Sequence, residues 1–151
     1  MTDWNDPASM VSQYFSVGEC TLLPSWQVYH QPSDDEKANI TKLANIMDVV
    51  REFLGQPIHV NCWIRPTKAN CPGTAYHGRN YNASVGGAPN SSHITGQAVD
   101  FRVSSQTADD VRQVMLNELS KFELYMEDLP GSSWTHLSNR PTASGNHFFK
   151  P

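Results

Sequence analysis

Residues 91–103, SSHITGQAVDFRV, decide how the rest of the chain is arranged. From Gln97 onward the residues alternate, with Ala98, Asp100 and Arg102 on one face of a strand and Val99, Phe101 and Val103 on the other. Ahead of that strand, Thr95 and Gly96 make a turn. Gly96 relieves the backbone there, so the chain can fold back and aim His93 and Asp100 at one point. A helix follows the strand: Thr107 caps it, and Val111, Val114, Met115 and Leu119 form its apolar stripe.

Residues 58–64 (IHVNCWI) place Ile58, Val60, Cys62 and Ile64 on one parity and His59, Asn61 and Trp63 on the other. That is a second strand with one face in the core, and Arg65 falls on its polar parity. A long helix precedes it. Ser33 and Glu36 form a capping box, Ile40, Leu43, Met47, Val50 and Leu54 recur at helical spacing, and Gly55 ends the run. The opening segment has weaker periodicity, with one short helix expected after Ser16. Residues 66–92 are dense in Pro, Gly, Asn and Ser, a long irregular loop of the kind that usually carries function. Downstream, FELYME (122–127) and WTHLS (134–138) flank the turn formers DLPGSS, which predicts a hairpin. The expected architecture is α+β, one domain over residues 1–151, with a small, mainly antiparallel sheet. The site lies on one face of that sheet and helices pack on the other.

With 151 residues, 38% of them hydrophobic, the chain has the size and balance of one globular unit. A formal charge of -4 and the lack of any basic stripe argue against nucleic acid as a partner. No segment is apolar enough for a membrane, and Asp3, Asp6, Pro7 and Glu19 stand where an export signal would be basic and then apolar. A soluble monomer without its own export signal is expected. Cys20, Cys62 and Cys71 are odd in number and contain no CxxC pair. Cys62 is expected to be a buried free thiol, with a bridge to Cys71 as the alternative.

The chemistry rests on scarce residue types. His93, Asp100 and His136 supply two imidazoles and a carboxylate, and a catalytic zinc takes three such ligands while leaving one position open. Zinc held in this way polarises a carbonyl and acidifies water to a pKa of about 7, as amide hydrolysis requires. Glu127 is the candidate base. A hairpin pairing residues 127 and 134 would make it a diagonal neighbour of His136, roughly 7–8 Å away; Asp128 is the competing carboxylate. Arg65 is placed to hold a substrate carboxylate or steady an oxyanion. Plainer roles stand beside these: Arg65 as a solvated strand end, Glu127 as an exposed turn residue, and Trp63 and Trp134 as core rather than substrate walls. His30, His59, His77 and His147 are expected to be structural or surface residues.

Taken together, FSVGE, WIRP, the run from Asn82 to Asp100 and WTHLS resemble the zinc D-alanyl-D-alanine carboxypeptidase family over about residues 14–140. That family includes phage endolysin peptidases and shares its fold with the hedgehog signalling domain. The resemblance implies that His93, Asp100 and His136 are the zinc ligands, that Arg65 helps hold substrate, and that Ser91 matches a serine two places before the first ligand. It also implies a hedgehog-like fold. Several relatives carry an acidic base three residues before the last histidine, where this chain has Ser133; Glu127 is similar to the glutamate other relatives place farther upstream. The segment ANCPGTAYHGRNY is longer than the family pattern after the arginine, so the family's substrate preference is not carried over.

The expected function is therefore zinc-dependent hydrolysis of an amide bond in peptidoglycan stem peptides, of D-Ala-D-Ala carboxypeptidase type, with Ser91, Arg65 and Trp134 contacting the peptide. An endopeptidase cutting elsewhere in the stem or cross-bridge is the alternative. A third reading is a non-catalytic zinc or cell-wall binding module of a virion. A phage lysis protein or particle-borne enzyme is the expected setting, and a bacterial enzyme whose leader lies outside the sequence is the other.

Overall fold

Capping residues set where the helices begin. The computed structural model describes residues 1–151. Helix α1, Val17–Thr21, starts at Ser16, whose hydroxyl accepts the Glu19 amide while Glu19 returns to the Ser16 backbone. Two-residue strands β1 (Leu22–Leu23) and β2 (Val28–Tyr29) then pair in a small hairpin that the periodicity did not foreshadow. Helix α2, Asp34–Leu54, repeats the same box with Ser33 and Glu36, and Gly55 ends it at φ 70°, where a side chain would be strained. Its buried face is Ile40, Leu43, Ala44, Met47 and Val50. Each larger side chain contributes about 1.5–3 kcal/mol of transfer free energy.

The remaining elements are β3 (His59–Cys62), α3 (Tyr81–Ser84), a 3₁₀ turn (Ser92–Thr95), β4 (Ala98–Arg102), α4 (Ala108–Met115), α5 (Leu119–Phe122), β5 (Tyr125–Glu127), β6 (Thr135–Ser138) and β7 (Phe148–Phe149). The five main strands form one sheet in the order β3-β4-β6-β5-β7. All its pairings are antiparallel except β5 with β7, which is parallel. Val99, Phe101 and Leu137 join Ile40, Leu43, Met47, Val111 and Met115 in the core, so α2 and α4 cover that face of the sheet. The α+β architecture matches the expectation.

Three local expectations need correction. Trp63, placed on the polar parity, is fully buried, with its ring edge-on to Phe15 at 5.5 Å. A bulge between Val60 and Cys62 shifts the strand's phase just before it. Val114, assigned to the apolar stripe, is 40% exposed because the helix turns a narrower face inward and stops at Met115. The hairpin also pairs differently from the 127-with-134 reading, with Tyr125 opposite Ser138 and Met126 opposite Leu137. All three cysteines are free, and no helix is long and apolar enough to cross a membrane.

Candidate metal centre

One row of residues crosses the sheet. Cys62 on β3 lies opposite Asp100 on β4, and Asp100 opposite His136 on β6. The β5–β6 register, Tyr125 with Ser138 and Met126 with Leu137, brings Glu127 opposite His136 at its next step, and Glu127 faces Phe149 on β7. Neighbouring strands are about 4.8 Å apart, so Asp100, His136 and Glu127 stand side by side on the face away from the helices. Glu127 is thus a direct rather than diagonal neighbour of His136. The loop 128–134 consumes the extra residues: Asp109 accepts the Gly131 amide at 3.1 Å, and buried Arg112 donates to the Trp134 carbonyl at 2.8 Å and to the Ser132 hydroxyl at 3.2 Å.

His93 joins the row from the 3₁₀ turn. Its amide donates to the Ser91 hydroxyl at 3.2 Å, and its carbonyl accepts the Arg65 amide at 2.8 Å. Gly96 closes the turn at φ 79°. A Cβ there would lie 2.7 Å from Ile40 Cγ1, so only glycine lets α2 pack this closely beneath the turn. The buried Trp63 supplies the other support, donating from its indole nitrogen to the Gly96 carbonyl at 3.1 Å.

Three potential ligand atoms meet at one point. Asp100 Oδ1 is 2.8 Å from His136 Nδ1 and 3.1 Å from His93 Nε2, and the two ring nitrogens are 3.2 Å apart. All three residues are buried. The His93 Nδ1 lies 2.6 Å from the Trp63 carbonyl, which can only accept, so Nδ1 carries the proton and Nε2 presents a lone pair. That lone pair points at a carboxylate oxygen. Two acceptors at 3.1 Å repel unless His93 is protonated or a cation lies between them. Burial lowers the pKa of His93, outweighing the pull of Asp100, and so favours the neutral ring. Burial also pushes the Asp100 carboxyl up, but His93 and His136 together outweigh it and hold it well below the usual carboxylate range. A charged carboxylate beside a neutral imidazole suits a divalent cation. The geometry fits one as well, because ligands about 2.0–2.1 Å from a tetrahedral zinc are about 3.3 Å from each other.

Around this centre, Arg65 Nη2 donates to the outer Asp100 oxygen at 2.9 Å, while its Nε is buried without a partner. Arg65 therefore touches the carboxylate directly instead of ending its strand in solvent. Cys62 shares the row, but its sulfur is not among the ligand atoms that converge there, and burial lifts its thiol to about 11 against the pull of Arg65. On the other side, Glu127 Oε1 lies 3.7 Å from His136 Nε2, too far for a hydrogen bond.

A cleft of about 320 Å³ opens over this end of the row and is lined by Ser91, Glu127 and His136 among others. Asp128 is not among the lining residues, since it follows Glu127 on the opposite parity of the chain. Trp134 shares a strand face with His136 but stands outside the cleft, 37% exposed. The other four histidines make structural contacts. His30 bridges Glu36 and the Asn70 amide, His59 meets Ser104, His77 accepts the Cys71 amide, and His147 donates to the Leu124 carbonyl. Sequence reasoning missed Asp109, Arg112 and Arg140. Their roles depend on partners about 20 to 50 residues away in the chain, which no local spacing announces.

A family model described as Peptidase M15 matches residues 14–138. The chain belongs to that family of metallopeptidases. No curated protein and no solved structure gives a significant match. Peptidases of this family depend on a metal, typically zinc, and act on peptidoglycan-type substrates. The His93, Asp100 and His136 cluster fits the metal site that such a metallopeptidase needs.

Proposed function

We propose that this metallopeptidase is a zinc D-Ala-D-Ala carboxypeptidase acting on peptidoglycan stem peptides. The observation that carries the metal role is the pair of acceptors, His93 Nε2 and Asp100 Oδ1, held face to face at 3.1 Å in a buried site. His93, Asp100 and His136 hold the ion, which when bound supplies Lewis acidity to the scissile carbonyl and the attacking water. The rest of the chemistry falls to side chains. Glu127 takes the proton from that water and returns it to the departing amine nitrogen; its carboxylate is 23% exposed at the cleft floor, where a water reaches it. Arg65 anchors the outer oxygen of Asp100 and places positive charge beside the carbonyl oxygen as it becomes anionic. Ser91 caps the turn that presents His93 and lines the peptide's path, while Trp134, outside the cleft, is exposed to a peptide that extends beyond it.

Incubating the zinc-loaded protein with defined muropeptides and weighing the products tests this reading. Release of the terminal D-alanine is expected. Fragments cut elsewhere in the stem or cross-bridge would make it an endopeptidase, and intact muropeptides at full zinc occupancy would leave only a binding role.

A further inference from the structure

Half of the residues lining the cleft, from Arg140 onward, lie beyond residue 138, where the family match ends. They come from the chain after β6 and from β7, which forms the sheet edge beside Glu127. This wall is basic. Arg140 and Lys150 both line it, and neither makes an ion pair, although the chain as a whole is acidic. Four other cationic side chains do have a carboxylate close by: Arg65 has Asp100, Arg112 has Asp109, Lys37 has Asp34, and Lys121 has Glu118. Arg140 is held in place without being neutralised. Its amide donates to the Ser138 hydroxyl at 3.0 Å, and one Nη2 hydrogen goes to the Asn90 carbonyl across the cleft. That leaves a half-buried guanidinium, fixed in orientation, with its other donors free. Since Arg65 is committed to Asp100, Arg140 is the guanidinium available to a ligand in the cleft.

We propose that Arg140, supported by Lys150, binds a free carboxylate of the substrate peptide and makes the enzyme select acidic peptides over their amidated forms. A guanidinium fork matches a carboxylate with two parallel hydrogen bonds, whereas a carboxamide brings a donor into the same place and carries no charge. The carboxylate can be the peptide's C-terminus or one borne on a side branch of the stem. The inference rests on the peptidase reading above and assigns its specificity to a wall outside the family-matched region.

The test measures kcat/KM on three zinc-loaded proteins, wild type, Arg140→Met and Arg140→Lys, with a stem peptide in its free-acid form, amidated at the C-terminus, or amidated on the branch. Wild type should prefer the free acid over one of the amides by about 10- to 100-fold, chiefly through KM, as expected for a charge-assisted bidentate contact. Arg140→Met should bring that ratio close to one, and Arg140→Lys should restore part of it. The amide that is discriminated identifies which carboxylate is read. A preference equal in wild type and Arg140→Met, or a variant that weakens all three peptides alike, would reduce Arg140 to a tie between β6 and the Asn90 loop and overturn the inference alone. If wild type cleaves none of the peptides, the peptidase reading fails first and takes this inference with it.

Discussion

The two sides of His136 are built differently. Toward Asp100 both groups are fixed twice or more: His93 by Trp63, Ser91 and Arg65, and Asp100 by Arg65 and His136. Toward Glu127 there is no hydrogen bond, only a carboxylate at 3.7 Å on the floor of an open cleft. Ligands must be arranged before the ion arrives, because a buried site cannot reorganise cheaply around a cation. A base must instead meet water and substrate, so its partners come with them. The sheet satisfies both needs with one row of residues, closed at the Asp100 end and open at the Glu127 end.

Breaking the closed side should have the largest effect. His93→Ala removes one ligand and leaves Asp100 facing a gap, so the purified, dialysed protein should retain essentially no zinc and no activity; metal analysis by mass spectrometry checks this. On the open side the effect should fall on turnover alone. Glu127→Gln should keep zinc while lowering kcat by about 10²- to 10⁴-fold, the usual contribution of a positioned base. Full activity in Glu127→Gln would reject the base assignment, and loss of zinc would make Glu127 a support for His136 instead.

Arg65→Met should give an intermediate result. It removes the partner of the outer Asp100 oxygen, and zinc affinity, measured by competition with a chelator, should drop about 10- to 100-fold. Farther out, Gly96→Ala forces a side chain onto a left-handed backbone 2.7 Å from Ile40, and urea unfolding should show a loss of about 1–3 kcal/mol. The smallest effect belongs to Glu36. Burial raises its pKa, but hydrogen bonds from His30 and Ser33 outweigh that and lower it, so the charged carboxylate is favoured in the folded state. Its contribution is present above the ordinary carboxylate pKa and fades as pH falls through the lower folded value. Glu36→Gln should therefore flatten the acid limb of the stability profile measured by thermal unfolding.

The same contrast explains what could be read in advance. Local signals were sufficient for α2, whose box, stripe and terminal glycine all lie within one continuous stretch, and for the β4 strand with its two faces. They also marked His93, Asp100 and His136, because those residue types are scarce and their spacing matches the family motif. What escaped depended on distant contacts. The partner of Glu127 was set by Asp109 and Arg112 pulling on the loop from another helix, the inward turn of Trp63 by a bulge two residues earlier, and the basic cleft wall by a two-residue strand, β7, too short to leave any periodicity.

Zinc-edge X-ray absorption on the loaded protein reads the ligand set itself. One ion per chain, with nitrogen and oxygen neighbours at about 2.0–2.1 Å, the outer-sphere signature of two imidazoles and no sulfur near 2.3 Å, is the predicted result. Sulfur scattering, or an ion whose spectrum is unchanged in His93→Ala and His136→Ala, would contradict it.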